Sequence, residues 1–118
     1  MKFEGKFKVV RVEIMPDYPS LKALYMVDDS GREMYLEYPE EILKIKVNEG
    51  DTLYISIDHQ KDERYRENWD VYMWGRIYYR DGSRTRISIG GLILELKSPD
   101  NLGEVGDKVY VGIRMRER

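Results

Sequence analysis

Apolar residues in this chain alternate with period two over most of its length, and no stretch carries the 3.6-residue repeat of a long helix. An all-β chain follows. The alternation changes phase across one pair of residues, Gly90-Gly91. Ile87 and Ile89 occupy odd positions before the pair, whereas Leu92, Leu94 and Leu96 occupy even positions after it. Strand side chains alternate between faces, so a phase switch requires an inserted residue or a bend, and glycine permits either. The expectation is a corner, with a bulge or a positive φ at one of the two glycines.

Other interruptions divide the rest of the chain. Phe7 and Val9 share one phase while Val10, Val12 and Ile14 share the other, which predicts a long first strand with a slip near Val9-Val10. Pro16 and Pro19 mark a loop, since neither can donate to a ladder. Leu21 to Val27 and Glu33 to Tyr38 flank Asp28-Asp29-Ser30-Gly31, a hairpin signal, and Pro39-Glu40-Glu41-Ile42 suits one helical turn. The starts of two later strands match, Gly50-Asp51-Thr52-Leu53 and Gly106-Asp107-Lys108-Val109, but their flanks do not correspond; the match reads as one turn chemistry used twice. The polar segment 59–68 has few apolar anchors and is expected to be a mobile loop. In Val71–Tyr79, Val71, Met73, Ile77 and Tyr79 are the expected core, with Tyr72, Trp74, Arg76 and Tyr78 on the opposite face. About eight short strands in a single domain, 1–118, predict a closed or partly closed antiparallel barrel.

Composition narrows the chemistry. The 118 residues include no cysteine and one histidine, His59, which removes thiolate nucleophiles, disulfides and cysteine-ligated zinc. Neither a Gly-x-x-x-x-Gly-Lys nor a Gly-x-Gly-x-x-Gly cradle occurs, and the paired acids fall in turns where solvated charge is the default. No catalytic residue, metal or cofactor is expected. No apolar run approaches the roughly 20 residues of a membrane span, so the expected location is cytoplasmic, away from membranes. Residues 1–60 hold eight basic and twelve acidic side chains, and residues 61–118 hold twelve and ten, too even a balance to argue for nucleic acid by itself. Abundant Glu, Lys and Arg beside one Gln and three Asn point to a thermophilic source.

Two binding functions remain. Trp69, Tyr72, Trp74, Tyr78 and Tyr79 with Arg76, Arg80, Arg84 and Arg86 supply the aromatic and basic parts of a single-strand nucleic-acid platform. An aromatic face bearing arginine is also what a protein–protein hot spot looks like.

The residues Tyr72-Met73-Trp74-Gly75-Arg76-Ile77-Tyr78, Ser88-Ile89-Gly90-Gly91-Leu92-Ile93-Leu94-Glu95-Leu96, Asn101-Leu102 and Asp107-Lys108-Val109-Tyr110 resemble one family. It is the small OB-fold subunit shared by the eukaryotic nuclear RNA polymerases, together with its homologue in the archaeal DNA-directed RNA polymerase. Tyr35-Leu36-Glu37-Tyr38 and Gly50-Asp51 extend the likeness, more loosely, into the first half. Where the eukaryotic members carry a long insertion, this chain has only Asp81-Gly82-Ser83, which favours the archaeal branch. The resemblance implies an OB-like Greek-key barrel and a non-catalytic role in transcription, as a monomer within the complex docked on the largest polymerase subunit. It makes Tyr72, Trp74, Gly75, Arg76, Tyr78, Gly90, Gly91 and Leu92 the docking or motif residues. Arg80, Arg84 and Arg86 are the candidates for weak, non-specific contact with single-stranded DNA. The alternative is a free-standing OB-type binder of single-stranded nucleic acid.

Overall fold

The structure is a computed structural model describing residues 2–115. Its elements run β1 (Lys2–Met15), β2 (Tyr18–Val27), β3 (Glu33–Tyr38), α1 (Glu40–Leu43), β4 (Thr52–Asp58), α2 (Tyr65–Asn68), β5 (Val71–Arg80), β6 (Arg84–Ile89), β7 (Leu92–Lys97) and β8 (Lys108–Arg114). All eight strands pair antiparallel and close into one barrel in the order β1-β2-β3-β7-β6-β5-β8-β4. The inward residues of every strand meet in one core, from Phe7, Leu24 and Leu36 on one side to Ile77, Ile87 and Leu94 on the other.

The order resolves into two Greek keys, β4-β1-β2-β3 and β8-β5-β6-β7, each a meander whose fourth strand returns beside the first. The keys correspond in detail. Val9 N–H donates to Asp51 O and Val9 O accepts from Gly50 N–H, both at 2.8 Å; Ile77 makes the same two bonds with Asp107 and Gly106, at 3.0 and 2.7 Å. One residue past each, the ladder shifts, between Val9 and Arg11 and between Ile77 and Tyr79. The keys close on each other about a pseudo-twofold: Met34 pairs with Leu96 and Leu36 with Leu94, while Ile55 pairs with Ile113 and Ile57 with Val111. The matching Gly-Asp starts are therefore the equivalent fourth strands, and the equivalence extends well beyond the turn chemistry read from sequence.

Several expectations need correction. The slip in β1 is present, yet Val10 and Ile14 are exposed, because the strand runs past the barrel wall there. The first loop is only Pro16-Asp17, since Pro19 lies within β2. Pro39 caps α1 from outside, and the helix runs Glu40–Leu43. Tyr38 fastens the crossover that follows: its buried hydroxyl donates to Ile45 O at 2.6 Å, and burial pushes its pKa up to about 12. Gly90-Gly91 is no corner within a strand. It is the two-residue turn of the β6–β7 hairpin, with φ of +58° and +96° and Ile89 paired to Leu92. Positive φ at both central residues is what a tight hairpin turn matching the strand twist demands.

Candidate docking face and its aromatic stack

β5 builds the face by alternation. Val71 and Ile77 point into the core and Met73 packs against it, while Tyr72, Trp74 and Arg76 point out. Gly75 has no room for a side chain: a Cβ would lie 2.5 Å from Ser88 O and 2.9 Å from the side chains of Ile87 and Ile89. The glycine therefore lets β5 press onto β6. Beyond Ile77 the bulge turns both Tyr78 and Tyr79 outward. Tyr79, expected in the core, instead donates its hydroxyl to Asp81 Oδ2 at 2.7 Å and lies under the Arg86 guanidinium. Asp81 raises the Tyr79 pKa accordingly.

Trp74 is the centre of the face, 53% exposed. Lys108 Nζ lies 4.6 Å and Arg76 Cζ 5.9 Å from its ring, and Arg76 also donates to Gly106 O at 3.1 Å. Arg76 pairs with Ser88, so continuing the register by two residues sets the Gly90-Gly91 turn beside Trp74. Trp74, Gly75, Arg76, Gly90 and Gly91 thus gather at one place, and Tyr78 is exposed further along the same strand, at the bulge. Leu92 does not join them; it is half-buried against the core.

Tyr72 belongs to a second feature. Its ring is stacked between Tyr65 of α2, at 5.1 Å and 15°, and Tyr110 of β8, at 5.8 Å and 10°. Its hydroxyl accepts the Asp62 N–H at 2.8 Å, and burial raises its pKa. The Asp62 carboxylate takes hydrogen bonds from Asn68 Nδ2 (2.8 Å), Trp69 Nε1 (2.9 Å) and Arg64 N–H (2.9 Å). The Asn68 bond leads in holding its pKa down. Trp69 lies flat on Gly112, where a Cβ would come within 2.5 Å of the indole. Stacking and one carboxylate thus anchor segment 59–68, in place of apolar burial. Sequence reading missed Tyr65, Asp62 and Lys108 as parts of this surface. Tyr65 and Asp62 reach Tyr72 across 7 and 10 residues and Lys108 reaches Trp74 across 34, and a local pattern carries no signal for such contacts.

A groove of ≈ 340 Å³ runs between that segment and the barrel wall, bordered by Asp58, Asp62, Trp69, Tyr72 and Tyr110. The three arginines expected to touch nucleic acid each face a carboxylate. Arg80 meets Glu104 at 3.0 Å, and Arg84 and Arg86 share Glu95 at 3.6 and 2.5 Å. His59 Nε2 lies 3.1 Å from Asp107 Oδ2, tying the start of segment 59–68 to that of β8. Among the described residues no group of three or more His, Cys, Asp or Glu is placed to hold a metal ion. No helix among them is long and apolar enough to cross a membrane.

Neither a family model nor a curated protein matches this chain.

Proposed function

We propose that this chain is a non-catalytic assembly subunit of a multisubunit DNA-directed RNA polymerase, docking on the largest subunit through the Trp74 face. The observation that carries the proposal is that the residues of the family resemblance around Trp74 converge on one exposed aromatic patch. Trp74, with Arg76 and Lys108 against its ring and the exposed Tyr78 further along the same strand, has the composition of an interface hot spot. Covering the exposed half of that indole removes on the order of 100 Å² from water, about 2–3 kcal/mol before ordering costs. The compact Asp81-Gly82-Ser83 turn supports the archaeal branch and, with it, a cytoplasmic place of work.

Single-strand nucleic-acid binding by a free-standing protein has one observation in its favour. β5, β6 and β8 are neighbours in the barrel and their sequences contain six cations and no carboxylate. Against it, Glu95 and Glu104 from outside those strands form ion pairs with three of the six and offset two of their charges.

Tagged purification from the source cells, followed by mass spectrometry of what co-elutes, tests the proposal. Polymerase subunits should co-elute with the wild-type chain, and Trp74→Ala should lower their yield at least about tenfold, the scale of a modest hot spot. Its melting temperature should stay unchanged. A chain that elutes alone overturns the polymerase role. Titration with a single-stranded oligonucleotide at physiological salt separates the alternative, since binding tighter than about micromolar leaves the non-specific range.

A further inference from the structure

β1 is paired on both edges only over its first part. Its ladder with β4 covers Lys2 to Lys8, and the two backbone bonds of Val9 to Asp51 and Gly50 end it. From Arg11 to Met15 the strand pairs with β2 alone. The second Greek key shows the contrast. Past Ile77, β5 runs only three residues to Arg80, and Arg80 is ion-paired to Glu104.

The direction of the unpaired groups follows from the pleat. In a regular strand, residues whose side chains share a face also send their N–H and C=O toward the same edge. Val9 faces the core and bonds toward β4. Across the one-residue bulge, Val12 takes over the inward face, opposite the buried Leu24. The backbone groups of Val12 and Ile14 therefore point to the β4 side, beyond the place where β4 has begun. The side chains there are unusual for a protected edge: Val10 is 48% and Ile14 64% exposed, and no lysine interrupts them. Arg11 Nε and Glu13 Oε1 form an exposed ion pair at 2.9 Å on the outer face.

Val10-Arg11-Val12-Glu13-Ile14 is self-complementary. An antiparallel copy centred on Val12 sets Arg11 opposite Glu13, Glu13 opposite Arg11, and Val10 opposite Ile14. Centring on Arg11 or on Glu13 instead would place like charges face to face, which is destabilising across strands. We infer that this edge of β1 pairs with the same edge of a second copy of the chain, forming a two-fold dimer by backbone hydrogen bonding. Such an interface is isologous, as a two-fold requires. It is also small, five residues a side, so the dimer is weak and appears with concentration. It is independent of the polymerase role, which uses β5 and β8.

Sedimentation velocity of the full chain, from micromolar to about millimolar, tests the inference. The mass should rise from that of one 14.1 kDa chain toward twice that value. Arg11→Glu sets two carboxylates together at both ends of the pairing and should weaken the dimer at least about tenfold. Arg11→Glu combined with Glu13→Arg restores opposite charges and should restore the dimer. Val12→Pro removes an N–H that faces the open edge and no bond to β2, so it should keep the far-ultraviolet circular dichroism spectrum and lose the dimer. A single-chain mass at every concentration overturns the inference, even if this edge then captures some other extended peptide. So does a dimer indifferent to Arg11→Glu, or a double charge exchange that stays monomeric.

Discussion

The two Greek keys share a backbone plan and differ in how they fill it. Phe3, Gly5, Phe7 and Val9 of β1 stand where Val71, Met73, Gly75 and Ile77 stand in β5, the first three of each set facing equivalent residues of β4 or β8 and the last bonded to the Gly-Asp pair before that strand. In the first key the large residue follows the glycine, and the Phe7 ring folds back over Gly5; a Cβ there would lie 2.5 Å from Phe7 Cε1. In the second key the large residue precedes the glycine, and Ile87 and Ile89 occupy the space above Gly75. A close-packed interior fixes the volume available at a pair of inward positions and leaves open which position supplies it. The equivalent turns diverge in the same manner. The first key joins β2 to β3 by a loop clamped by Asp28; the second joins β6 to β7 by two glycines.

The sharpest way to break this comparison is to exchange the order. Phe7→Gly should cost at least the ~3–5 kcal/mol of a Phe→Ala truncation. Adding Gly5→Met imitates the Met73–Gly75 arrangement and should recover a measurable part of the loss in urea denaturation. If the double variant is no more stable than Phe7→Gly alone, the equivalence is one of backbone path only.

A smaller effect separates the turns. Gly91→Val places a β-branched residue at φ +96° with no atom within 4 Å to clash, so the cost is purely conformational, about 1–3 kcal/mol. Gly90→Asn, at φ +58°, should be nearly neutral, since asparagine tolerates that region. Thermal melting of both variants checks the pair of expectations, and equal losses would mean that something other than φ governs the turn.

The smallest effect concerns acid. Burial opposes ionisation of Asp28, but hydrogen bonds from Arg32 and Ser30 prevail and hold its pKa below 3.8. Asp100, bonded to Ser98 and to the same Arg32, is lowered as well. A depressed carboxyl pKa contributes stability that is complete above the unfolded value and is lost as pH falls through the folded one. The melting temperature should therefore hold down to about pH 5 and fall below about pH 4. Asp28→Asn should cost about 1–2 kcal/mol at neutral pH and flatten the acid limb, whereas the glycine turn adds nothing to it.

Much of this was legible in the chain itself, for definite reasons. Alternation announced the strands, and the slip at Val9-Val10 is a bulge because an extra residue shifts every later side chain to the other face. Gly90-Gly91 was visible as an interruption, but its kind was not. A two-residue turn puts residues i and i+3 on one face, the same parity change as a bulge inside one strand. The twin bulge beyond Ile77 left no mark at all, since two adjacent tyrosines have no phase to break, and Tyr79 was misplaced for that reason. The duplication hid because β1 and β5 place their glycines in opposite order. At the candidate site, β5 was readable as an aromatic face. The lid of Trp69 on Gly112 and the stack of Tyr65, Tyr72 and Tyr110 depend on long-range contacts that no local periodicity encodes.

The closure of the barrel dictates a timetable for a chain made from its N-terminus. When the ribosome has released residues through Asp58, the first key has all four of its strands but cannot seal itself. β3 lacks β7 and β4 lacks β8, so two backbone rims and the interior of a half-barrel stay wet. The seam at β4 closes only with β8, Lys108–Arg114, the last strand of the barrel to be made. Until then, the nascent half is a sheet with two open sides, the form of polypeptide most in need of shelter from its neighbours.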